Sequence, residues 1–441
     1  MFAVGGLMLA GCRGIQTPGE MQARHDLGAV AGQYRPTNGI PALPELTADS
    51  SLSNYLAFAL LNSPTVEAAF YDWSASVENI TVTRSLPDPQ LTFQSDIADI
   101  VMTVMPGFLQ EFPGPGKLKA RAKVASAESE GKYFAFESAV LQAAFNLKRA
   151  YYQLGLLDEQ LQLTRETLSL LENQERVIRA QNEAGRATLP DLLRVQSERD
   201  RVRTDLANLE DSRRSLLENF KAALGLMPEL PDPPAPAHLE TDGQNPDTDE
   251  LLRYAFARNP QLAAMEADVR SAEAGIAMAY KERVPDFSLG LMADVKAAPT
   301  MFRPLAGMTL PIWRDKLAAE VAQAKANEMA ATSRLKAAQI DLAVRFAEKS
   351  FACRETNRNL ALIEDELVPK ARQSLETVRA GYRAGTMDFS SLTEAERMLL
   401  DLKLAAAEAR TERGIALAEL SLMVAGVPPP GAPILSNNPH D

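Results

Sequence analysis

Arg179-Ala180-Gln181-Asn182-Glu183-Ala184-Gly185 and Arg379-Ala380-Gly381-Tyr382-Arg383-Ala384-Gly385 are one turn written twice, 200 residues apart. Other landmarks return in the same order. Leu86-Pro87-Asp88 recurs as Val284-Pro285-Asp286, and Phe112-Pro113 as Leu310-Pro311, each 198 residues on. Ala57-Phe58-Ala59 recurs as Ala255-Phe256-Ala257. A period this long lies far outside the roughly 20–50 residues of solenoid repeats. The chain is therefore a duplicated unit, two large quasi-equivalent halves side by side.

Around each turn the pattern is helical. A proline-free run from Lys117 to Ala184 gives one helix of about 100 Å at 1.5 Å per residue. Its apolar seam is Leu154, Leu157, Leu161, Leu168, Leu171 and Ile178, spaced three and four apart as in a coiled coil, with Thr164 and Glu175 as polar interruptions. The second copy runs from Asp315 to Ala384 and contains Pro369, which should kink it. Gly185 and Gly385 end the two long helices as left-handed caps. A returning helix follows each. The seam of the first is Leu192, Val195, Val202, Leu206, Leu209, Leu216 and Phe220; Leu392, Ala395, Leu402, Ala406, Ala409, Ala416 and Leu420 copy it. Arg213 and Arg413 fill the same slot in each, and the alanines of the second copy permit closer helix approach.

Upstream of each long helix the period changes to two. Leu91, Phe93 and Ile97 alternate with Thr92, Gln94 and Asp96; Phe287, Leu289, Leu291, Ala293 and Val295 alternate with polar or small residues. Second strands are expected over Val101–Phe112 and Leu305–Ile312, so each half carries one hairpin of strands about 10 residues long, the length a tilted membrane strand needs. Residues 52–85 read as a helix broken at Asn62-Ser63-Pro64, and residues 13 to 50 as an extended lead-in without periodicity. Prolines 228, 231, 233, 234, 236 and 246 mark a surface linker. The expected organisation is a signal peptide at 1–11, an anchor and lead-in at 12–50, repeats at 51–227 and 249–427 joined by the linker 228–248, and a tail at 428–441.

Composition bounds the function. The chain has 441 residues, 46% hydrophobic and 24% charged, with a net charge of −12. An acidic chain lacks the basic face that phosphate binding requires, so nucleic acid is excluded as a partner. No apolar run reaches 18 residues, so a membrane role has to use strands or an anchor. Four strands cannot close a membrane barrel, because their edges would expose unpaired backbone groups to lipid. Oligomerisation would solve this, three chains giving twelve strands. Only Cys12 and Cys353 are present. Leu7-Met8-Leu9-Ala10-Gly11-Cys12 resembles a bacterial lipobox, whose cysteine is acylated, palmitate included, and becomes the mature N-terminus. A short buried strand is the alternative. The basic start expected of a signal peptide is missing before this run, and Arg13 follows the cysteine in place of an inner-membrane retention aspartate.

The duplication, the hairpin placement, the Arg-Ala…Ala-Gly turns and the lipobox together resemble the TolC-type outer-membrane efflux factors, from Leu52 to Val427. Gln110-Glu111-Phe112-Pro113-Gly114-Pro115-Gly116-Lys117 is similar to the strand-to-helix junction of their heavy-metal branch. The resemblance implies a mainly α fold with a membrane β-barrel portion: a homotrimer with a twelve-stranded barrel in the outer membrane of a Gram-negative bacterium and a periplasmic α-barrel. It further implies a set of partners, namely outer-membrane lipid, a periplasmic adaptor and an inner-membrane pump of the RND type. The function so implied is the passive exit duct of a tripartite efflux pump for metal ions or small toxic compounds. A type I secretion exit for polypeptides is the alternative; a periplasmic adaptor or a soluble coiled-coil scaffold leaves the two hairpins or the lipobox unexplained.

No catalytic, cofactor or metal chemistry is expected. His25, His238 and His440 all fall in the lead-in, linker or tail. Gly114-Pro115-Gly116-Lys117 is no phosphate loop, since Glu111 stands at the first glycine and Leu118 at the Ser/Thr. Met102, Met105, Met301 and Met308 read as packing or lipid-facing residues in preference to soft-metal ligands. By the resemblance, the glycine turns form the periplasmic entrance and adaptor-docking end. Asp191 lies where related channels carry a constriction-linked aspartate, Ser391 replaces it in the second copy, and Glu394 matches an inner acidic-ring position. Arg186, Arg194, Arg379 and Arg383 would hold the closed state by ion pairs, each exposed pair contributing ~0–1 kcal/mol. Ordinary solvated turn charges are the alternative.

Overall fold

The computed structural model describes residues 16–36, 41–98, 101–236, 248–294 and 299–424. The elements are α1 (Pro18–Tyr34), α2 (Leu52–Asn62), α3 (Pro64–Arg84), β1 (Gln90–Ala98), β2 (Val101–Phe112), α4 (Lys117–Glu183) and α5 (Leu189–Ala223) in the first half. The second half repeats them as α6 (Thr248–Arg258), α7 (Pro260–Lys281), β3 (Phe287–Asp294), β4 (Met301–Met308), α8 (Arg314–Ala361), α9 (Val368–Arg383) and α10 (Phe389–Met423). The expected breaks and lengths appear: α2 stops before Ser63-Pro64, and α4 runs 67 residues. Where Pro369 removes a backbone donor, the second long helix widens into a π-turn over Leu362–Leu367 before continuing as α9.

Two compact units result. One contains α1, Ala68–Ser138 and Pro260–Ile340, and so holds all four strands. These form one antiparallel sheet in the order β1-β2-β3-β4. The two hairpins share one register: Gln90 faces Leu109 in the first, and 198 residues on, Ser288 faces Gly307 in the second. In the same unit, an aromatic cluster packs Trp73 on Phe136 at 5.9 Å and Tyr34 on Phe70 at 5.3 Å.

Tyr34 belongs to α1, and here the extended lead-in expected over 13–50 is corrected. Thr17 caps a 17-residue helix with Pro18 in its first turn. The helix lacks an apolar stripe because it is held by polar contacts. Glu20 is fully buried, and burial alone would raise its pKa. Hydrogen bonds from Arg84, Thr81 and Arg24 outweigh that and hold the carboxyl below its ordinary value.

The other unit contains Pro41–Glu67, Ala139–Asn259 and the chain from Asp341 onward. Its core packs Tyr55, Leu56 and Ala59 of α2 against Leu147, Tyr151 and Leu154 of α4 and Phe220 of α5. In both halves an asparagine at the proline break caps the returning helix. Asn62 donates to the Leu224 carbonyl and Asn259 to the Met423 carbonyl, each at 3.0 Å. Gly414 of α10 lies under the Tyr152 ring of α4, where an added Cβ would sit 2.8 Å from the ring. The start of the supposed surface linker is also part of this unit. Pro233 and Pro236 are buried, the Tyr55 hydroxyl lies 3.0 Å from the Pro234 carbonyl, and Lys221 donates to the carbonyls of Pro228 and Leu230.

The strand expected over Leu305–Ile312 lies instead at Met301–Met308. Pro304 falls within β4, which is an edge strand, where proline is tolerated. Arg303, placed opposite Met292, pairs with Asp294 at 3.0 Å. The ladder ends where Thr309 takes over: its N–H donates to the Asp286 carbonyl and its hydroxyl accepts from the Asp286 N–H, at 2.9 and 2.8 Å.

Candidate functional site

The sheet has two unlike faces. Register places Leu91, Phe93, Phe108, Phe287, Leu289, Leu291, Phe302 and Met308 on one face. All eight are exposed, from 42% at Phe287 to 69% at Leu91. The opposite face carries Thr92, Gln94, Glu111, Ser288 and the Asp294–Arg303 pair. Met301 lies on this polar face and Met308 on the apolar one, both exposed, while Met105 is buried; the Met102 side chain lies outside the described residues. Uncovered apolar area of this extent marks a surface meant for another apolar phase.

The second site is the pair of hairpin tips. Gly185 and Gly385 both adopt φ 72°, the left-handed conformation that glycine reaches without a Cβ penalty. The Arg186 N–H then bonds the Gln181 carbonyl at 2.8 Å, and the Thr386 N–H the Gly381 carbonyl at 2.9 Å, closing each helix end. The returning helices start with exchanged chemistry. In α5, Thr188 is the cap, and its N–H and hydroxyl donate to Asp191 at 3.2 and 2.5 Å, while the Asp191 N–H returns to Thr188. In α10, Asp388 is the cap, accepting from the N–H and hydroxyl of Ser391 at 2.9 and 2.5 Å. The aspartate-to-serine change between Asp191 and Ser391 is thus a reciprocal swap within one capping box.

Ile178 and Val195 of the first hairpin pack with Leu375, Phe389, Leu392 and Ala395 of the second. The Tyr382 hydroxyl donates to Gln181 Oε1 at 3.3 Å. Burial, and then the charge of Asp191, push the Tyr382 phenol above its ordinary value. The Ser391 hydroxyl and N–H hold the Asp388 carboxyl below its ordinary value, and Arg194 of the first hairpin adds to this.

Ion pairs at the tips differ from those expected. Arg379 pairs with Glu396 at 3.2 Å, and Gln174 of α4 donates to the same carboxylate. Glu394 is exposed and two residues away, about 200° around the helix, so it cannot face α9 together with Glu396. Arg383 and Arg186 are exposed, and among the described residues neither meets a carboxylate. The sequence reading therefore missed Glu396, Gln174, Gln181 and Tyr382. One signal was present: Glu396 is the copy of Gln196, and both flank the apolar seam. In the first hairpin, Gln196, Arg179 and Arg199 converge on buried Glu175 and hold its carboxyl below its ordinary value, the Gln196 hydrogen bond leading.

Among the described residues no three His, Cys, Asp or Glu side chains gather as a metal site, and no helix is long and apolar enough to cross a membrane. Cys12, His238 and His440 lie outside the described residues. The model of the family described as "Outer membrane efflux protein" matches residues 56–226 and 251–426, that is, each half in turn. The chain belongs to the outer membrane efflux protein family. It is a channel of that family and not an enzyme. The cobalt-zinc-cadmium resistance protein CzcC of Cupriavidus metallidurans is 21% identical over 401 residues, 85% of this chain and 90% of CzcC. The open-state MtrE outer membrane channel of Neisseria gonorrhoeae superposes with a TM-score of 0.74 at 16% identity, over 89% of this chain and 96% of MtrE. VceC of Vibrio cholerae, an outer membrane protein, gives 0.71 at 16% identity, over 85% and 96%. The fold is that of the TolC-type channels, mainly helical with a small strand portion.

Proposed function

We propose that the protein is the passive exit duct of a tripartite efflux pump, exporting metal ions or small toxic compounds across the outer membrane. The observation that carries this is the two-faced sheet, which pairs an exposed apolar face with a polar one and ends in two open edges. Lipid would cover the apolar face, and the polar face would line a water-filled lumen. Because open edges are not tolerated in lipid, three chains would close a twelve-stranded barrel. The likeness to CzcC favours metal cargo over polypeptide. The hairpin tips would form the periplasmic entrance, gated by the contacts of Tyr382 and Glu396, with Glu394 exposed toward the lumen. Leu189 and Leu193, 58% and 52% exposed beside the Gly185 turn, suit docking of a periplasmic adaptor that couples the duct to an RND-type pump. Cys12 would carry the lipid anchor.

Purification in detergent tests this reading. A trimer that forms conducting pores in a planar bilayer is expected, as is increased zinc, cobalt and cadmium sensitivity of a strain lacking the protein. A water-soluble monomer that needs no detergent would reject the duct. Cys12→Ser should abolish acyl labelling while part of the protein stays in the outer membrane, because the barrel holds it there; labelling that persists would reject the anchor.

A further inference from the structure

The two long helices are copies, yet one is broken and the other is not. Over residues 361–370 the second long helix buries no residue, from exposed Ala361 to exposed Lys370. Leu360 is its last buried side chain before this stretch and Ala371 its first after it. The counterpart 200 residues earlier buries Leu161 and Thr164 within the same span and is unbroken α-helix. In the second helix the Val368 N–H reaches back five residues to the Ile363 carbonyl, so the π-turn Leu362–Leu367 holds one residue more than α-helical turns would. Pro369 has no N–H for the Asp365 carbonyl four residues back, which removes the α-helical bond that would close the turn.

Arg410 of α10 reaches this uncovered stretch. Its Nε donates to Glu364 of the π-turn at 2.7 Å, and its Nη1 donates to the two carboxylate oxygens of Glu159 on α4 at 3.0 and 2.9 Å. The repeat does not copy this bridge. The counterpart of Arg410 is Glu210, which pairs with Arg165 of α4 at 2.8 Å, and the counterpart of Glu364 is buried Thr164. The π-turn is thus tied to α4 through a guanidinium that is itself 37% exposed and open to competition from water.

A helix bends where its ladder is interrupted and its side chains are least packed. We propose that the second long helix bends at Leu362–Leu367 and that Arg410 is the pin that fixes the bend. With Arg410 seated, the π-turn is held toward α4 and α9 keeps Leu375 in the tip cluster. With Arg410 released, α9 swings about the π-turn while Leu342, Phe346 and Leu360 stay packed. This deepens the gated-duct reading. It rests on that reading for what the swing opens, and on the helix alone for where the bend lies.

Amide exchange and conductance test this on the full chain in detergent and in a planar bilayer. In the parent, the amides of 362–368 should exchange about tenfold or more faster than those of 162–168, their counterparts in the unbroken helix. Glu364→Gln removes the link to the π-turn and leaves the Arg410–Glu159 pair. It should speed exchange over 362–368 by about two- to fivefold, the range of a partly exposed ion pair, and raise resting conductance. Glu159→Gln should act in the same sense by freeing the other end of the bridge. Deleting Asp365 together with Pro369→Ala makes the turn continuous α-helix. That should slow exchange to the level of 162–168 and, combined with Glu364→Gln, cancel the rise in conductance. If the straightened chain folds poorly, Pro369→Ala alone should shift exchange the same way by a smaller factor. Equal exchange in the two stretches of the parent would overturn the bend. Unchanged exchange over 362–368 in both glutamate variants would overturn the pin. A parent that shows the exchange contrast but forms no pore would overturn the duct and leave the bend standing.

Discussion

The two hairpin tips share a backbone and differ in what holds them. In the first, buried Glu175 of α4 meets Arg199 of α5. Two hundred residues on, the same two positions are Leu375 and Leu399, packed in the apolar tip cluster. Gln196, which donates to Glu175, becomes Glu396, which accepts from Arg379 and from Gln174 of the first hairpin. The first hairpin satisfies its buried carboxylate, Glu175, from within, whereas the second directs Glu396 to both hairpins. The difference suggests a division of labour in which the first tip is a stiff prop and the second carries the contacts that can be broken.

Glu175→Leu gives the most severe test. It removes the buried carboxylate that Gln196, Arg179 and Arg199 share and leaves Arg199 with Asp200 alone, at a cost of about 2–3 kcal/mol for the lost charge-assisted hydrogen bonds, read as faster amide exchange across the end of α4 and the start of α5. Glu175→Leu with Arg199→Leu writes the second hairpin's pair into the first and should return to within about 1 kcal/mol of the parent. A double variant as damaged as the single one would break the comparison.

Gly185→Ala and Gly385→Ala should cost alike, about 1–2 kcal/mol each, because an added Cβ meets nothing within 4 Å and only the left-handed backbone is penalised. Unequal losses in thermal or exchange stability would show that the turns are not equivalent.

Smaller effects distinguish the arginines and acids of the second tip. Arg379→Ala or Glu396→Gln removes a partly exposed pair of about 0–1 kcal/mol, enough to raise resting conductance in a planar bilayer. Arg383→Ala, which removes no pair, should leave conductance unchanged. Glu394→Gln should lower cation preference and block by multivalent cations. If Arg383→Ala opens the pore as readily as Arg379→Ala, the entrance is held by something other than Glu396.

The least effect is with pH. The Glu175 carboxyl is depressed from an ordinary value of 4.5, so its stabilisation is complete above that value and fades as pH falls through the lower folded-state value. Asp388, depressed from 3.8, behaves in the same sense. In Glu175→Leu with Arg199→Leu, the acid sensitivity of amide exchange at the first tip should vanish, while that of the Asp388 cap persists.

Much of this was legible because it is local. The strands announced themselves through alternation at Leu91 and Phe93, the long helices through their seams, and the turns through Gly185 and Gly385. The helix α1 was not legible: its sequence has no apolar period, and it forms because Glu20 and Tyr34 find Arg84 and Phe70 elsewhere in the chain. The start of β4 lies four residues before the expected one, and its Pro304 is tolerated on an edge strand. At the tips, Asp191 and Glu394 were singled out by position, but Asp191 bonds to its own helix cap and Glu396 takes the arginine.

The sequence by itself determined the number, order and approximate length of the repeated elements. Periodicity, glycine and proline act within a few residues, and the two copies corroborate each other. Only the tertiary structure decided which charges meet, that Glu175 is buried while its copy is a leucine, and that a segment without amphipathic character becomes a helix. Those outcomes depend on what lies across a packed face, and a residue's own neighbours in the chain carry no record of it.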